Sequence, residues 1–474
     1  MKIDEDSIRE IVAQVMGRLD RGTASPAGSQ ARLPGVFSDI YEAVYAARDA
    51  FLEFSRTKLA VRIAMIKKMR EAVMENLERM SRLAVEETGF GRVEHKILKN
   101  KLAAEMTPGV EDLETAAYTD DYGLMLTERA PYGVIGAISP STNPTETIIC
   151  NALGMVSAGN TVVFNSHPGA KNVSALIVSI LNDAIEKAGG PKNIVTTVES
   201  PTIESAQALM EHPFVAMLVV TGGPGVVKEA MKRPKKVIAA GPGNPPAVVD
   251  ETADLKKAAR DIVDGASFDN NIICIDEKVV LSVASIAERL KQEMISAGAF
   301  ELNAEQIERI TPQILPDPGR KGHEGMSNKA YVGKNASYIA QKTLGLAVPE
   351  DTKILLCEVD REHPLVWTEQ LMPVLPLTRF NTAAEAIDFA LECEHGFRHT
   401  ASIHSKNIDH MDRMAKMMNC SLFVKNGSNF NGMAAGGAGY TSFTIASPTG
   451  EGFTRARTFT RERRCSLIGY FRIV

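Results

Sequence analysis

The chain has 474 residues, 44% of them hydrophobic and 23% charged, enough for two or three cores at about 100–200 residues per domain, which excludes disorder as its main state. Lys and Arg number 53 against 58 Asp and Glu, a net charge of −5, so no bulk basic field draws it to nucleic acid or an anionic membrane. The longest apolar runs, Gly133–Ser139 and Val215–Val220, fall far short of the roughly 18 residues that span a bilayer, and the charged N-terminus is unlike a signal peptide, so a soluble, cytoplasmic protein is expected.

The first element is a short amphipathic helix. Ile8, Ile11, Val12, Val15, Met16 and Leu19 recur at spacings of three and four, Ser7 and Glu10 have capping-box spacing, and Asp4, Glu5 and Asp6 suit the positive end of the helix dipole. Residues 21–35 (RGTASPAGSQARLPG) lack periodicity and read as a flexible linker. A tethered apolar stripe must be covered, either by the protein's own body or a sister subunit, or by a separate partner for which it is an address. From Val36 to Leu113 the pattern is mainly helical. Strand-like runs (Tyr132–Ile138, Thr161–Phe164, Val215–Val220, Lys236–Ala239, Ala247–Val249) then alternate with helices such as Ala170–Lys187 and Thr202–Glu211. The alternation resumes at Lys278–Val283, Lys353–Val359, Val374–Leu377, Thr400–His404 and Ser421–Lys425, so two α/β domains built on parallel sheets are expected.

Four passages carry chemistry. Pro140-Ser141-Thr142-Asn143-Pro144-Thr145 follows a strand, where Asn143 either gives an N–H to a developing oxyanion or forms an Asn-Pro turn. Gly222-Gly223-Pro224-Gly225 lies between a strand and a helix, as a phosphate cradle or as a plain tight turn. Ala239–Pro246 (AAGPGNPP) is a glycine-punctuated passage that alone reads as a hinge. The six cysteines show no metal-ligand spacing and are too few for a disulfide framework. Cys150, Cys357 and Cys393 fall in apolar helices or strands. Cys274, after the turn-prone Ser267–Asn271, is placed where a loop exposes a nucleophile on a rigid sheet.

In this order these passages resemble the aldehyde dehydrogenase superfamily over roughly residues 36–474. The strings SFDNNIIC, PSTNPTET, TGGPG, AGPGNPP and SPTGEG with FTRERRC are specifically similar to the CoA-acylating propionaldehyde and acetaldehyde dehydrogenases of bacterial microcompartments. Hydrolytic members carry a Glu opening an ELGGKNP-like passage, which activates water against the thioester. Here that place, 35 residues before Cys274, is Ala239. The resemblance implies a Rossmann-type NAD domain (36–239, with an arm strand at about 120–135), a catalytic domain (240–440), and a return segment with an oligomerisation strand (441–474). It implies Cys274 as nucleophile, Asn143 as oxyanion donor, and His399 as a proton acceptor for the CoA thiol or Cys274, although a structural His fits that position as well. It assigns NAD to Ser139, Pro140, Thr142, Asn165, His167, Gly169, Thr221, Gly222, Gly223, Gly241 and Glu369. The usual Lys of the second strand is Asn165, which leaves NADP open as an alternative. No metal is implied. The expected reaction is oxidation of propionaldehyde, or next acetaldehyde, to acyl-CoA with NAD⁺ and coenzyme A; a hydrolytic enzyme releasing free acid is the alternative. A homodimer or homotetramer is implied, located inside a microcompartment through a shell protein held by residues 1–19. The arginines Arg455, Arg457, Arg461, Arg463 and Arg464 are read as part of the subunit interface.

Overall fold

In the computed structural model, which describes residues 33–474, the apolar runs that alternate with helices become two parallel sheets and a small antiparallel arm. The amphipathic helix expected at 1–20 and the linker expected at 21–35, save its last three residues, lie outside the described residues. In chain order, β1 (Val36–Phe37) is followed by helices Ile40–Phe54, Leu59–Glu75, Leu77–Thr88 and Val93–Met106, then by β2 (Ala116–Asp120) and β3 (Gly123–Pro131). The first α/β run supplies β4 (Val134–Ser139), β5 (Thr161–Ser166), β6 (Val195–Val198), β7 (Val215–Thr221) and β8 (Lys236–Ala240). The second supplies β9 (Pro246–Val249), β10 (Val279–Val283), β11 (Ala299–Leu302), β12 (Ile354–Glu358), β13 (Val374–Phe380), β14 (Thr400–His404) and β15 (Leu422–Lys425). The chain ends with β16 (Ile445–Ala446), β17 (Gly452–Phe453) and β18 (Thr460–Ile468).

The first sheet has the order β1-β6-β5-β4-β7-β8. Every residue of β4, β5 and β6 is buried, because helices cover both faces, and this is why these strands read as unbroken apolar runs. From β4 the chain moves outward to β5 and β6, then returns to the other side for β7 and β8. The order therefore reverses between β4 and β7, and a crevice opens beyond their carboxyl ends.

The second sheet has the order β11-β12-β13-β10-β9-β14-β15. Its four adjacent parallel strands β13, β10, β9 and β14 are entered by the loops that carry Glu369, Cys274, Gly243 and His399 respectively. Parallel register thus collects four chemically distinct residues, spread over more than a hundred positions of sequence, along one sheet edge.

The arm departs from its expected bounds. Its sheet, β18-β3-β2, ends at Pro131, and Val134 already belongs to the first parallel sheet, so the strand expected at about 120–135 spans two different sheets. The polar, alternating pattern of Thr127–Ala130 suits a half-exposed antiparallel strand, whereas the apolar Val134–Ile138 suits a covered one. β18 pairs with β3 of the same chain from Thr460↔Pro131 to Ile468↔Gly123. Arg455 and Arg457 are anchored to Asp112, by an ion pair of 3.2 Å and a backbone N–H bond of 2.8 Å.

Candidate active site

Cys274 lies in a turn five residues before β10, partly exposed, as a loop nucleophile should be. The approach to it is unusual. Asp269, Asn270 and Asn271 hold φ of 45°, 57° and 66°, three successive residues in the left-handed region. That conformation costs about 1–2 kcal/mol for an ordinary L residue and less for Asn or Asp, whose short polar side chains bond locally. The side chains present meet the cost. Asn270 accepts from Arg92 Nε (2.9 Å) and donates to the Gly333 carbonyl (2.8 Å), while Asn271 donates to the Ala266 carbonyl (2.8 Å). Lys278 Nζ donates to both the backbone and side-chain oxygens of Asn271 at 2.7 Å. Gly91, at φ 76°, is the other half of this fit, since a Cβ there would sit 2.0 Å from Asp269 Oδ1.

Gly243 joins the residues on the second sheet's edge. A Cβ at this position would lie 2.7 Å from the Cys274 carbonyl oxygen and 3.0 Å from His399 Cγ, so only glycine permits the approach. Burial pushes the Cys274 thiol up to about 12, and the Glu369 charge pushes in the same direction. The resting group is therefore a thiol that needs a base. Burial, reinforced by the Lys278 charge, brings His399 down to about 4, which leaves its imidazole neutral. Its Nδ1 meets Thr400 Oγ1 at 2.9 Å, and its buried Nε2 has no partner among the described residues. The open nitrogen of this neutral imidazole can accept a proton, against the burial and the Lys278 charge that weaken it as a base. Burial also lifts Glu369 to about 7.

Asn143 is the residue before the helix Pro144–Ser157 and is buried. Its Oδ1 accepts from Lys99 Nζ at 2.6 Å, whereas its Nδ2 has only a long contact of 3.4 Å with Thr142 Oγ1. The remaining expected residues line the ends of the first sheet's strands. The buried Ser139 hydroxyl closes β4 without a hydrogen-bond partner among the described residues, and Pro140 and Thr142 follow it half-buried. Thr221 ends β7 and shares a 2.7 Å hydroxyl contact with Thr444, and Gly222 N–H reaches the Ala240 carbonyl at 3.5 Å. Gly223 precedes the helix Pro224–Met231, whose N-terminus no side chain caps. An uncapped helix end, an orphaned serine hydroxyl and a strand-order reversal fit a dinucleotide pyrophosphate. His167 Nδ1 accepts from Gly169 N–H at 3.1 Å, and Gly241 lies beside Pro448 in the turn out of β8. At Asn165, Ser205 Oγ donates to Oδ1 at 2.5 Å and Nδ2 meets the Thr202 carbonyl at 3.4 Å, which leaves one further acceptor and one further donor position on the carboxamide.

Sequence reasoning passed over a buried charge network. Lys96 Nζ lies 3.1 Å from Asp269 Oδ2, and Lys99 Nζ lies 2.5 Å from the same oxygen and 3.0 Å from Glu146 Oε1; all four side chains are fully buried. Burial alone would raise the Asp269 carboxyl, but the two ammonium groups outweigh it and bring it down to about 2. A signal was present in the helix Val93–Met106. The positions it buries, Lys96, Lys99, Asn100, Ala103 and Ala104, form a stripe at helical spacing in which no large apolar residue appears.

The aldehyde dehydrogenase family matches residues 36–455. The acetaldehyde dehydrogenase (acetylating) EutE of Escherichia coli is 46% identical over 473 residues, with all of both chains covered. A Rhodopseudomonas palustris propionaldehyde dehydrogenase, solved with bound CoA and an acylated cysteine, is 46% identical with a TM-score of 0.89, covering 93% of this chain and 99% of its own. A propionaldehyde dehydrogenase from the Clostridium phytofermentans fucose utilisation bacterial microcompartment is 43% identical with a TM-score of 0.90, covering 93% of this chain and all of its own.

Proposed function

The chain belongs to the aldehyde dehydrogenase family, and on that premise we propose that it is a CoA-acylating enzyme, oxidising propionaldehyde, and next acetaldehyde, with NAD⁺ and coenzyme A to acyl-CoA and NADH. The observation that carries the acylating reading is the passage that seats Gly243 against Cys274, which has Ala239 where hydrolytic relatives place their water-activating Glu. Residues 36–239 are assigned to cofactor binding, 240–440 to catalysis and 441–474 to the return segment. Exposed Tyr122, Ile468 and Phe471 on the arm support assembly as a homodimer or homotetramer.

Cys274 passes its thiol proton to His399 Nε2 and attacks the aldehyde carbonyl carbon. The oxygen that takes the charge is held by Asn143 Nδ2 and the Cys274 backbone N–H. Bound NAD⁺ supplies the hydride acceptor. Glu369 and the Thr221–Gly223 turn orient it, with Ser139, Pro140, Thr142, His167, Gly169 and Gly241 along the same crevice. Cys274 is then left as an acyl thioester. Once His399 has released the first proton to solvent, it accepts the proton of the CoA thiol, which displaces Cys274; the sulfur leaves as thiolate and is reprotonated by His399. The alternative, hydrolysis, is favoured by one feature, the Glu369 carboxylate raised to about 7 beside the thiol. Steady-state NADH production from acetaldehyde, propionaldehyde and butyraldehyde, with and without CoA and with NAD⁺ or NADP⁺, separates the two. Turnover that requires CoA is expected, and robust CoA-independent turnover would overturn the acylating reading.

Packaging in a microcompartment rests on the amphipathic pattern of residues 1–19 and on the microcompartment origin of one similar structure. Deleting residues 1–20 is expected to leave activity nearly intact and to abolish capture by shells of a fluorescent protein fused to the C-terminus. Undiminished capture would show that the address lies elsewhere.

A further inference from the structure

Lys99 does more in this site than balance charge. Asp269 already has Lys96 as a counter-ion at 3.1 Å, and Lys96 also donates to the Thr142 carbonyl at 3.3 Å. Lys99 is in turn the counter-ion of Glu146, at 3.0 Å, and its Nζ also donates to Asn143 Oδ1, at 2.6 Å. An ammonium has three N–H donors and no acceptor, so the carboxamide atom facing it must be the carbonyl oxygen. Rotating the amide by half a turn would set N–H₂ against N–H₃⁺ in a fully buried site, which is strongly disfavoured. The amide is therefore locked in one of its two orientations, with Nδ2 directed away from the lysine and left with only a long contact to Thr142 Oγ1. The same ammonium is ion-paired with Asp269, on the loop that leads to Cys274, and with Glu146, on the helix that Asn143 opens. One ammonium thus spans the loop of the nucleophile and the loop of the oxyanion donor.

We propose that Lys99 is a positioning residue, whose ammonium fixes the Asn143 carboxamide with its Nδ2 turned to the oxyanion and sets that amide against the Cys274 loop. This rests on the reading of Asn143 as an oxyanion donor. The test is a double-mutant cycle of Lys99→Met with Asn143→Ala in the full chain, reading kcat and KM for propionaldehyde with NAD⁺ and CoA. The alkylation rate of Cys274 by iodoacetamide, a reaction that develops no oxyanion, is read on every variant. Lys99→Met is expected to lower kcat about 10²-fold, as loss of an oxyanion donor does, with little change in KM and with alkylation within about twofold of the parent. Adding Lys99→Met to Asn143→Ala is expected to lower kcat by no more than about twofold further, because the group it positions is gone. Lys99→Arg, which retains charged donors, is expected to keep more activity than Lys99→Met, and it carries the cycle if the methionine variant does not fold. Additive losses, or alkylation that falls in step with kcat, would overturn the inference while leaving Asn143 in its role. An Asn143→Ala enzyme with unchanged kcat would instead remove the oxyanion assignment and the inference with it.

Discussion

Cys274→Ala is expected to form no measurable NADH from propionaldehyde and CoA, a fall of about 10⁴-fold or more, while still binding NAD⁺. No other described cysteine is placed to replace it. Cys150 and Cys393 are buried in helices and Cys357 in β12, and Cys465 is exposed on β18, away from the edge that carries Gly243 and His399. Cys420 lies near that edge, just before β15, but its thiol donates to the Leu422 carbonyl at 3.0 Å. Loss of the Cys274 sulfur removes a covalent step with no alternative route through a neighbour. The neighbours that bind rather than react, Glu369 and the Thr221–Gly223 turn, are anchored through their own contacts, so the binding isotherm for NAD⁺ should stay within a few-fold of the parent's. Turnover in the alanine variant would refute Cys274 as the nucleophile. Loss of both turnover and NAD⁺ binding would point to a collapsed site and would be settled by Cys274→Ser, which keeps the volume and a hydroxyl but supplies a far weaker nucleophile.

The parts of this arrangement that were legible in sequence were those set by short-range pattern. β14 runs Thr400–His404 as its residues suggest, and most of the other strand-like runs shift by a residue or two, because period and punctuation are local properties. Cys274 stands out among six cysteines because turn-prone residues precede it, and Asn143 because it lies on a loop that follows a strand. What sequence did not disclose depends on long-range approach. The Lys99 contact to Asn143 joins positions 44 residues apart, and the Lys96 contact to Asp269 joins positions 173 apart. A lysine on a helix reads as solvated unless its neighbours in space are known, and here those neighbours come from two other loops. The same holds for Asn165, whose carboxamide is met by Ser205 and Thr202 from the following βα unit, and for the arm, where the change from antiparallel to parallel pairing falls between Pro131 and Val134.

Asp269 is where the greatest loss of stability from one substitution is expected. Replacing it with Ala leaves Lys96 without a carboxylate partner and Lys99 with Glu146 alone, all in a site shut off from water. Breaking a buried pair from one side costs about 3–5 kcal/mol, because the charge left behind has lost its water and gained nothing in return. Two further losses accompany it. Arg92 N–H gives up its 2.8 Å bond to Asp269 Oδ1, and alanine is less at ease than aspartate at φ 45°. Urea unfolding of Asp269→Ala at neutral pH should show this drop, together with a fall in kcat, since the same loop carries Cys274. The charge contribution has its own signature in pH. The folded carboxyl lies at about 2, below its ordinary value near 3.8, so it stabilises the fold fully above the unfolded value and progressively less as pH falls towards 2. Asp269→Asn preserves shape and one acceptor but carries no charge. The stability gap between the parent and Asp269→Asn should therefore be constant from neutral pH down to about 5 and narrow below about 4. A gap that stays constant through that acid range would mean that Asp269 holds the nucleophile loop by hydrogen bonding and shape, not by its charge against Lys96 and Lys99.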